Sequence, residues 1–67
     1  MNIEDIQTRI VKIIEQEDDW ELAHIMEDDL LFDVLKAISE GSRYPVELSK
    51  EALKVRSLDF PRPYNVE

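Results

Sequence analysis

Residues 28–41 read DDLLFDVLKAISEG, and this stretch decides how the rest of the chain folds. Seven apolar residues in it cover well over half of a helix surface, and they are Leu30, Leu31, Phe32, Val34, Leu35, Ala37 and Ile38. Asp28 or Asp29 can cap the start of such a helix, and Gly41, the single glycine, can end it. The stretch therefore predicts the central and most buried helix of the fold.

Upstream, isoleucines at spacings of three and four predict a first helix, and they are Ile3, Ile6, Ile10, Ile13 and Ile14. Continuing this helix past Glu17 would turn Leu22 away from the isoleucine face, so we expect a break at residues 17–19. Asp18 and Glu21 fit an acidic capping box, which predicts a short second helix. That helix would carry Trp20, Leu22, Ala23, Ile25 and Met26. The sequence leaves open whether helices one and two are continuous.

Downstream, Pro45 can occupy the first turn of a fourth helix that extends to about Ser57. Its narrow apolar stripe consists of Leu48, Ala52 and Val55. A narrow stripe favours a position at the periphery of the fold. The tail at residues 58–64 contains two prolines and should run extended or as polyproline II. We expect Phe60 and Tyr64 of this tail to lie over the core.

The chain is thus predicted to be a single all-α domain over residues 1–67, a small bundle of three to four short helices with an extended, proline-containing C-terminal tail. A hydrophobic content of 43% argues against intrinsic disorder despite the net charge of −8. Because there is no cysteine, a domain this small depends on helix packing or on self-association. The large aromatic residues should form core or lid, and they are Trp20, Phe32, Phe60 and Tyr64.

Membrane association is not expected from the sequence. No apolar stretch reaches the roughly 18 residues that a membrane-spanning helix needs. Residues 1–5 also lack the basic start of a signal peptide. We therefore expect a cytoplasmic protein.

An acidic run without any Lys or Arg dominates the electrostatics, and it consists of Glu15, Glu17, Asp18, Asp19, Glu21, Glu27, Asp28, Asp29 and Asp33. Its field repels nucleic acid and anionic lipid and attracts basic protein surfaces. We expect these nine residues to bind a protein partner with a basic surface, and a nucleic-acid-binding protein whose groove the carboxylates enter as phosphate mimics is one such partner. Helix N-termini also favour carboxylates, so a structural and solvating role is the alternative.

Two further functions fit the sequence. A self-associating structural protein would use the isoleucine face of the first helix. A metal-binding protein or metal-dependent enzyme would use Glu21, His24 and Asp28, which share one helical face if the helix continues to residue 28. Nucleophilic catalysis is not expected, since one His and scattered serines offer no activated nucleophile and a bundle this small has little concavity. We expect a non-enzymatic interaction protein without a cofactor.

Three segments resemble short uncharacterised proteins encoded in bacteriophage and prophage genomes, and they are residues 29–41, 51–54 and 58–62. Together they span about half of the chain. The shared pattern is a helix ending in glycine, a second helix and a Leu-Asp-Phe-type tail. The resemblance implies an accessory protein that acts on host or phage machinery through binding, and it assigns no role to any residue.

Overall fold

The computed structural model of the chain describes residues 1–58. Within them the elements are α1 (Ile3–Glu15), α2 (Trp20–Ser39), α3 (Pro45–Leu53) and a short 3₁₀ helix (Lys54–Ser57). No strand occurs in this part of the chain, so the all-α prediction is confirmed. None of these helices is long and apolar enough to cross a membrane. The predictions for Phe60, Tyr64 and the tail from residue 59 onward lie outside the described residues.

Helix α1 confirms the first predicted helix. Asn2 caps it reciprocally, because its side chain accepts a hydrogen bond from the Asp5 backbone N–H at 2.8 Å while the Asp5 carboxylate accepts from the Asn2 N–H at 3.0 Å. Ile6 and Ile13 are fully buried. These two isoleucines are therefore used inside the molecule, whereas Ile14 is 42% exposed. Self-association through the isoleucine face stays a prediction.

Helix α2 corrects the prediction of separate second and third helices, since one helix of 20 residues replaces them. Its N-cap is Asp19, whose side chain accepts from the Leu22 N–H at 3.2 Å. The predicted break at residues 17–19 is confirmed, so α1 and α2 are separate. Ala23, Leu30 and Val34 are all buried at helical spacing, so the inner face of α2 continues in phase through residues 28–29. Aspartates there can cap a helix, but nothing interrupts this one.

Gly41 ends α2 as predicted. It adopts φ +91°, a left-handed conformation that residues with a Cβ seldom adopt. Its N–H donates to the Ile38 carbonyl and the Ser42 N–H donates to the Ala37 carbonyl, each at 3.1 Å. These two bonds form a Schellman motif, which satisfies carbonyls that the helix end would leave unpaired.

Helix α3 begins at Pro45 as predicted, but the chain tightens into the 3₁₀ helix at Lys54. Leu48, Ala52 and Val55 are each at most 2% exposed, and each of the three α-helices packs against the other two. The expected peripheral position is therefore wrong. Because α3 has only nine residues, Leu48 and Ala52 are enough to bury its inner face, and Val55 continues that face in the 3₁₀ helix.

The core lies where the three helices meet, and its buried apolar residues are Ile6, Ile13, Ala23, Leu30, Val34, Leu48, Ala52 and Val55. The expectation that the apolar stretch of α2 is the most buried segment is only half met. Phe32 is 65% exposed and Leu35 is 67% exposed, while Trp20 is 38% exposed. Since α1 and α3 cover only one side of α2, an apolar surface wider than that side remains open to solvent.

Candidate functional site

Five carboxylates crowd the connection between α1 and α2, and we call them the acidic turn: Glu15, Glu17, Asp18, Asp19 and Glu21. All five residues are exposed. The backbone turns tightly here, because the Gln16 N–H donates to the Ile13 carbonyl at 3.0 Å and the Asp19 N–H donates to the Gln16 carbonyl at 2.9 Å. One end of the bundle therefore presents these charges within seven consecutive residues.

Local helix stability explains only part of the acidic turn. Asp19 caps α2, and Glu21 lies in its first turn, where the positive end of the helix dipole favours a carboxylate. Glu15 and Glu17 lie instead at the C-terminal end of α1, where the dipole disfavours negative charge. Within residues 1–58, none of the five acids forms an ion pair with Lys or Arg. Glu15 and Glu17 thus carry an unfavourable charge that the fold does not use.

The other four acids of the predicted partner-binding run do not join the acidic turn. Glu27 is 0% exposed, so it cannot touch a partner, and its assignment to the binding surface is corrected. Asp33 binds Arg9 at 2.7 Å and ties α2 to α1. Asp28 and Asp29 are exposed further along α2. The nine acids therefore do not form one surface.

Glu27 belongs to a polar cluster with His24, Asp28 and Arg56, in which His24 and Glu27 are buried while Asp28 and Arg56 are exposed. The Arg56 Nη1 lies 3.7 Å from the Glu27 Oε1, and the His24 Nδ1 lies 3.9 Å from the same oxygen. On the other side of the ring, the His24 Nε2 lies 3.7 Å from the Asp28 Oδ2. A carboxylate removed from water needs a compensating charge, and Arg56 supplies it.

The metal-binding hypothesis was based on Glu21, His24 and Asp28. Continuity of α2 brings His24 and Asp28 together as that hypothesis requires, but the third residue beside them is Glu27 and not Glu21. One ligand atom from each of His24, Glu27 and Asp28 lies within 4.8 Å of the others, so the spacing admits a cation. The guanidinium of Arg56 already lies beside Glu27, however, and its positive charge compensates the carboxylate as a bound metal ion would. We therefore interpret the cluster as a structural one.

A second surface is apolar and was missed from the sequence. We call it the α2–α3 groove, and its volume is about 270 Å³. It is lined by Leu31, Leu35 and Ile38 of α2 and by Ser49 and Leu53 of α3. Buried Val34 and Ala52 form its floor. Leu35 is 67% exposed and Leu53 is 59% exposed. The available signal was the width of the apolar arc in residues 30–38, which is more than one helix face can bury.

The serine side chains do not assemble a nucleophilic site. The hydroxyls of Ser39, Ser49 and Ser57 donate to backbone carbonyls three residues earlier, at 2.7, 2.9 and 2.7 Å. Ser42 lies in a cleft between the N-terminus and Tyr44, and the residues around it include no His. These contacts fit helix ends and turns.

No known family model, characterised protein or solved structure matches this chain. The resemblance to short phage-encoded proteins stays a prediction.

Proposed function

We propose that this protein is a non-enzymatic interaction module that binds a basic surface of a protein partner through the acidic turn. The observation that carries the proposal is the set of five exposed carboxylates with no Lys or Arg partner among residues 1–58. Charges kept this close together repel each other in the free protein. A partner bearing Lys and Arg relieves that repulsion on binding, so the cost to the free protein becomes a gain in the complex.

The partner class follows from charge and shape. The acidic turn is an exposed connection between two helices at one end of the bundle, and we propose that it enters a groove lined with basic side chains. Grooves of this kind occur in nucleic-acid-binding proteins, where they hold a row of phosphates. The chain itself has a net charge of −8 and is repelled by nucleic acid. We propose the cytoplasm as the location.

The test compares two triple variants with the same change in net charge. Glu15→Gln, Glu17→Gln and Asp18→Asn neutralise the acidic turn and keep the Asp19 cap. Glu4→Gln, Glu40→Gln and Glu47→Gln neutralise exposed acids elsewhere and serve as the matched control. Each protein is immobilised in turn and incubated with host lysate at low and at high salt, and the retained proteins are identified by mass spectrometry.

We expect the wild type and the control variant to retain basic nucleic-acid-binding proteins at low salt and to release them at high salt. The acidic-turn variant should lose them. Equal retention by both variants would show that overall charge, and not the acidic turn, attracts the partner. Retention of neutral proteins alone would remove the proposal.

A further inference from the structure

We propose that the α2–α3 groove binds the same groove of a second copy of this chain, so that the protein forms a two-fold symmetric dimer with a four-helix contact. The inference does not depend on the function proposed for the acidic turn. It starts from the side chains that the described residues leave open: Leu35, Leu53 and the adjacent Phe32 are each more than half exposed. Contiguous apolar surface of this kind marks an interaction site in small proteins.

Charge favours a second copy over a basic partner as the occupant. Residues 31–58, which contain the groove, carry five basic and four acidic side chains, whereas residues 1–30 carry two basic and ten acidic ones. A basic partner is therefore attracted to the other half of the molecule and gains little at the groove. Two copies of this chain repel each other elsewhere, but they can approach through this nearly neutral half.

The geometry of α2 keeps the acidic turns apart in such a dimer. Asp19 and Leu35 are 16 residues apart on one continuous helix, which is about 24 Å along its axis. This distance is several times the screening length of about 8 Å at physiological salt. Two-fold packing of α2 and α3 on their copies makes a layer of two helices on two helices, the arrangement of a four-helix bundle. When the two α2 helices run antiparallel in it, the acidic turns lie at opposite ends.

The size of the contact sets its strength. Helix α3 has nine residues, so it is about 14 Å long, and residues 31–38 of α2 cover a similar length. Two such helices side by side bury less surface than the roughly 1,200 Å² of a typical stable interface. The structure therefore predicts a dimer in rapid equilibrium with monomer, and not a permanent one.

The first test uses sedimentation equilibrium of the full chain from about 1 μM to about 1 mM, the range over which a weak dimer forms. Leu35→Glu places a charge in the groove. Ile25→Glu makes the same charge change on the same helix outside the groove, at a side chain that is 56% exposed. We expect the wild type and Ile25→Glu to approach twice the monomer mass and Leu35→Glu to remain monomeric with unchanged helical circular dichroism.

A second measurement needs no variant and covers the case in which Leu35→Glu fails to fold. Amide chemical shifts of the wild type are recorded across the same dilution series, and the shifts should move at residues 31–38 and 49–53. A wild type that stays monomeric at every concentration overturns the proposal, whatever else fills the groove. A dimer that survives Leu35→Glu, or shifts that concentrate on α1 or the acidic turn, overturns it equally.

Discussion

The two halves of α2 differ in which residues have a burial that does not match their polarity. In the first half, His24 and Glu27 are buried while Ile25 is 56% exposed. In the second half, Phe32 and Leu35 are about two-thirds exposed. Burial along this helix is therefore set by the face that α1 and α3 cover and not by the hydrophobicity of each residue. The positions where residue type and burial disagree are the ones that need a separate explanation.

The mismatch between residue type and burial is compensated in the first half of α2 and is left uncompensated in the second half. The buried carboxylate of Glu27 is balanced within the same chain by Arg56 at 3.7 Å, so the first half is satisfied internally. In the second half, the described residues leave two-thirds of the Leu35 side chain exposed to solvent. The covered face therefore stabilises the fold along the whole of α2, and the uncovered apolar side chains of the second half offer a surface.

Truncating two leucines in the second half of α2 tests most strongly whether the covered face, and not the residue type, sets burial. Leu30→Ala empties a site that is 0% exposed and should lower the free energy of unfolding by about 2–5 kcal/mol. Leu35→Ala makes the same chemical change on the uncovered face of the helix and should change the free energy of unfolding by less than about 0.5 kcal/mol. Both are measured by urea denaturation at one low protein concentration. Equal losses would mean that Leu35 is part of the core.

Removing the charge of Glu27 should have the next largest effect. Glu27→Gln keeps the shape of the side chain but leaves Arg56 beside a neutral group, and we expect a loss of about 1–3 kcal/mol in the free energy of unfolding. Asp29→Asn, two residues along α2 and exposed, is the control and should stay within about 0.5 kcal/mol. If the two variants lose the same amount, burial of Glu27 carries no energetic weight and the two halves differ less than the structure indicates.

The sequence predicted the features of α2 that depend on neighbouring residues in the chain. The break before Trp20 and the end at Gly41 were both predicted, because caps and glycine act through local backbone geometry. The predicted interruption at Asp28 was wrong, since a residue that can cap a helix does not stop one whose inner face continues in phase.

The candidate surfaces were less accessible to sequence reasoning. The acidic turn was contained in the predicted run, but the burial of Glu27 depends on α3 and the 3₁₀ helix, which lie far away in sequence. The exposure of Phe32 was missed for a similar reason, because an apolar pattern does not say how many neighbours a helix will have. Periodicity defines a face, and only tertiary packing decides whether that face is covered.

The C-terminal end of α2 allows a smaller and purely conformational test. Gly41→Ala places a Cβ on a residue at φ +91°, and no other atom lies within 4 Å of it, so the cost is backbone strain alone. We expect a loss of about 1 kcal/mol in the free energy of unfolding. Glu40→Ala, at φ −92°, is the control and should change it by less than about 0.5 kcal/mol. A neutral Gly41→Ala would show that the end of α2 relaxes without strain.

The smallest expected effect concerns Glu51, a partly buried carboxylate that is paired with Lys54. A hydrogen bond from Lys54, at 2.9 Å, is the main reason that the pKa of Glu51 lies below its ordinary value of 4.5, and the Gln7 amide at 3.3 Å lowers it further. Because the pKa is lower in the folded state, the contribution of Glu51 to stability is complete above pH 4.5 and is lost as the pH falls through the folded value.

The difference in Tm between wild type and Glu51→Gln should therefore be small at neutral pH and vanish in acid. A carbon NMR titration of the Glu51 carboxyl measures the pKa directly. A difference in Tm that grows as the pH falls would contradict the assigned direction.

The short connections of this bundle set a time order for its assembly. Residues 16–19 join α1 to α2 and residues 40–44 join α2 to α3, so helices that follow each other in the chain also touch in space. Chains with such local topology fold in microseconds to milliseconds. Two molecules at about 1 μM meet productively only about 0.1–10 times per second at common association rates. Each chain is therefore fully folded before it encounters another copy, and any pairing is an equilibrium between finished monomers.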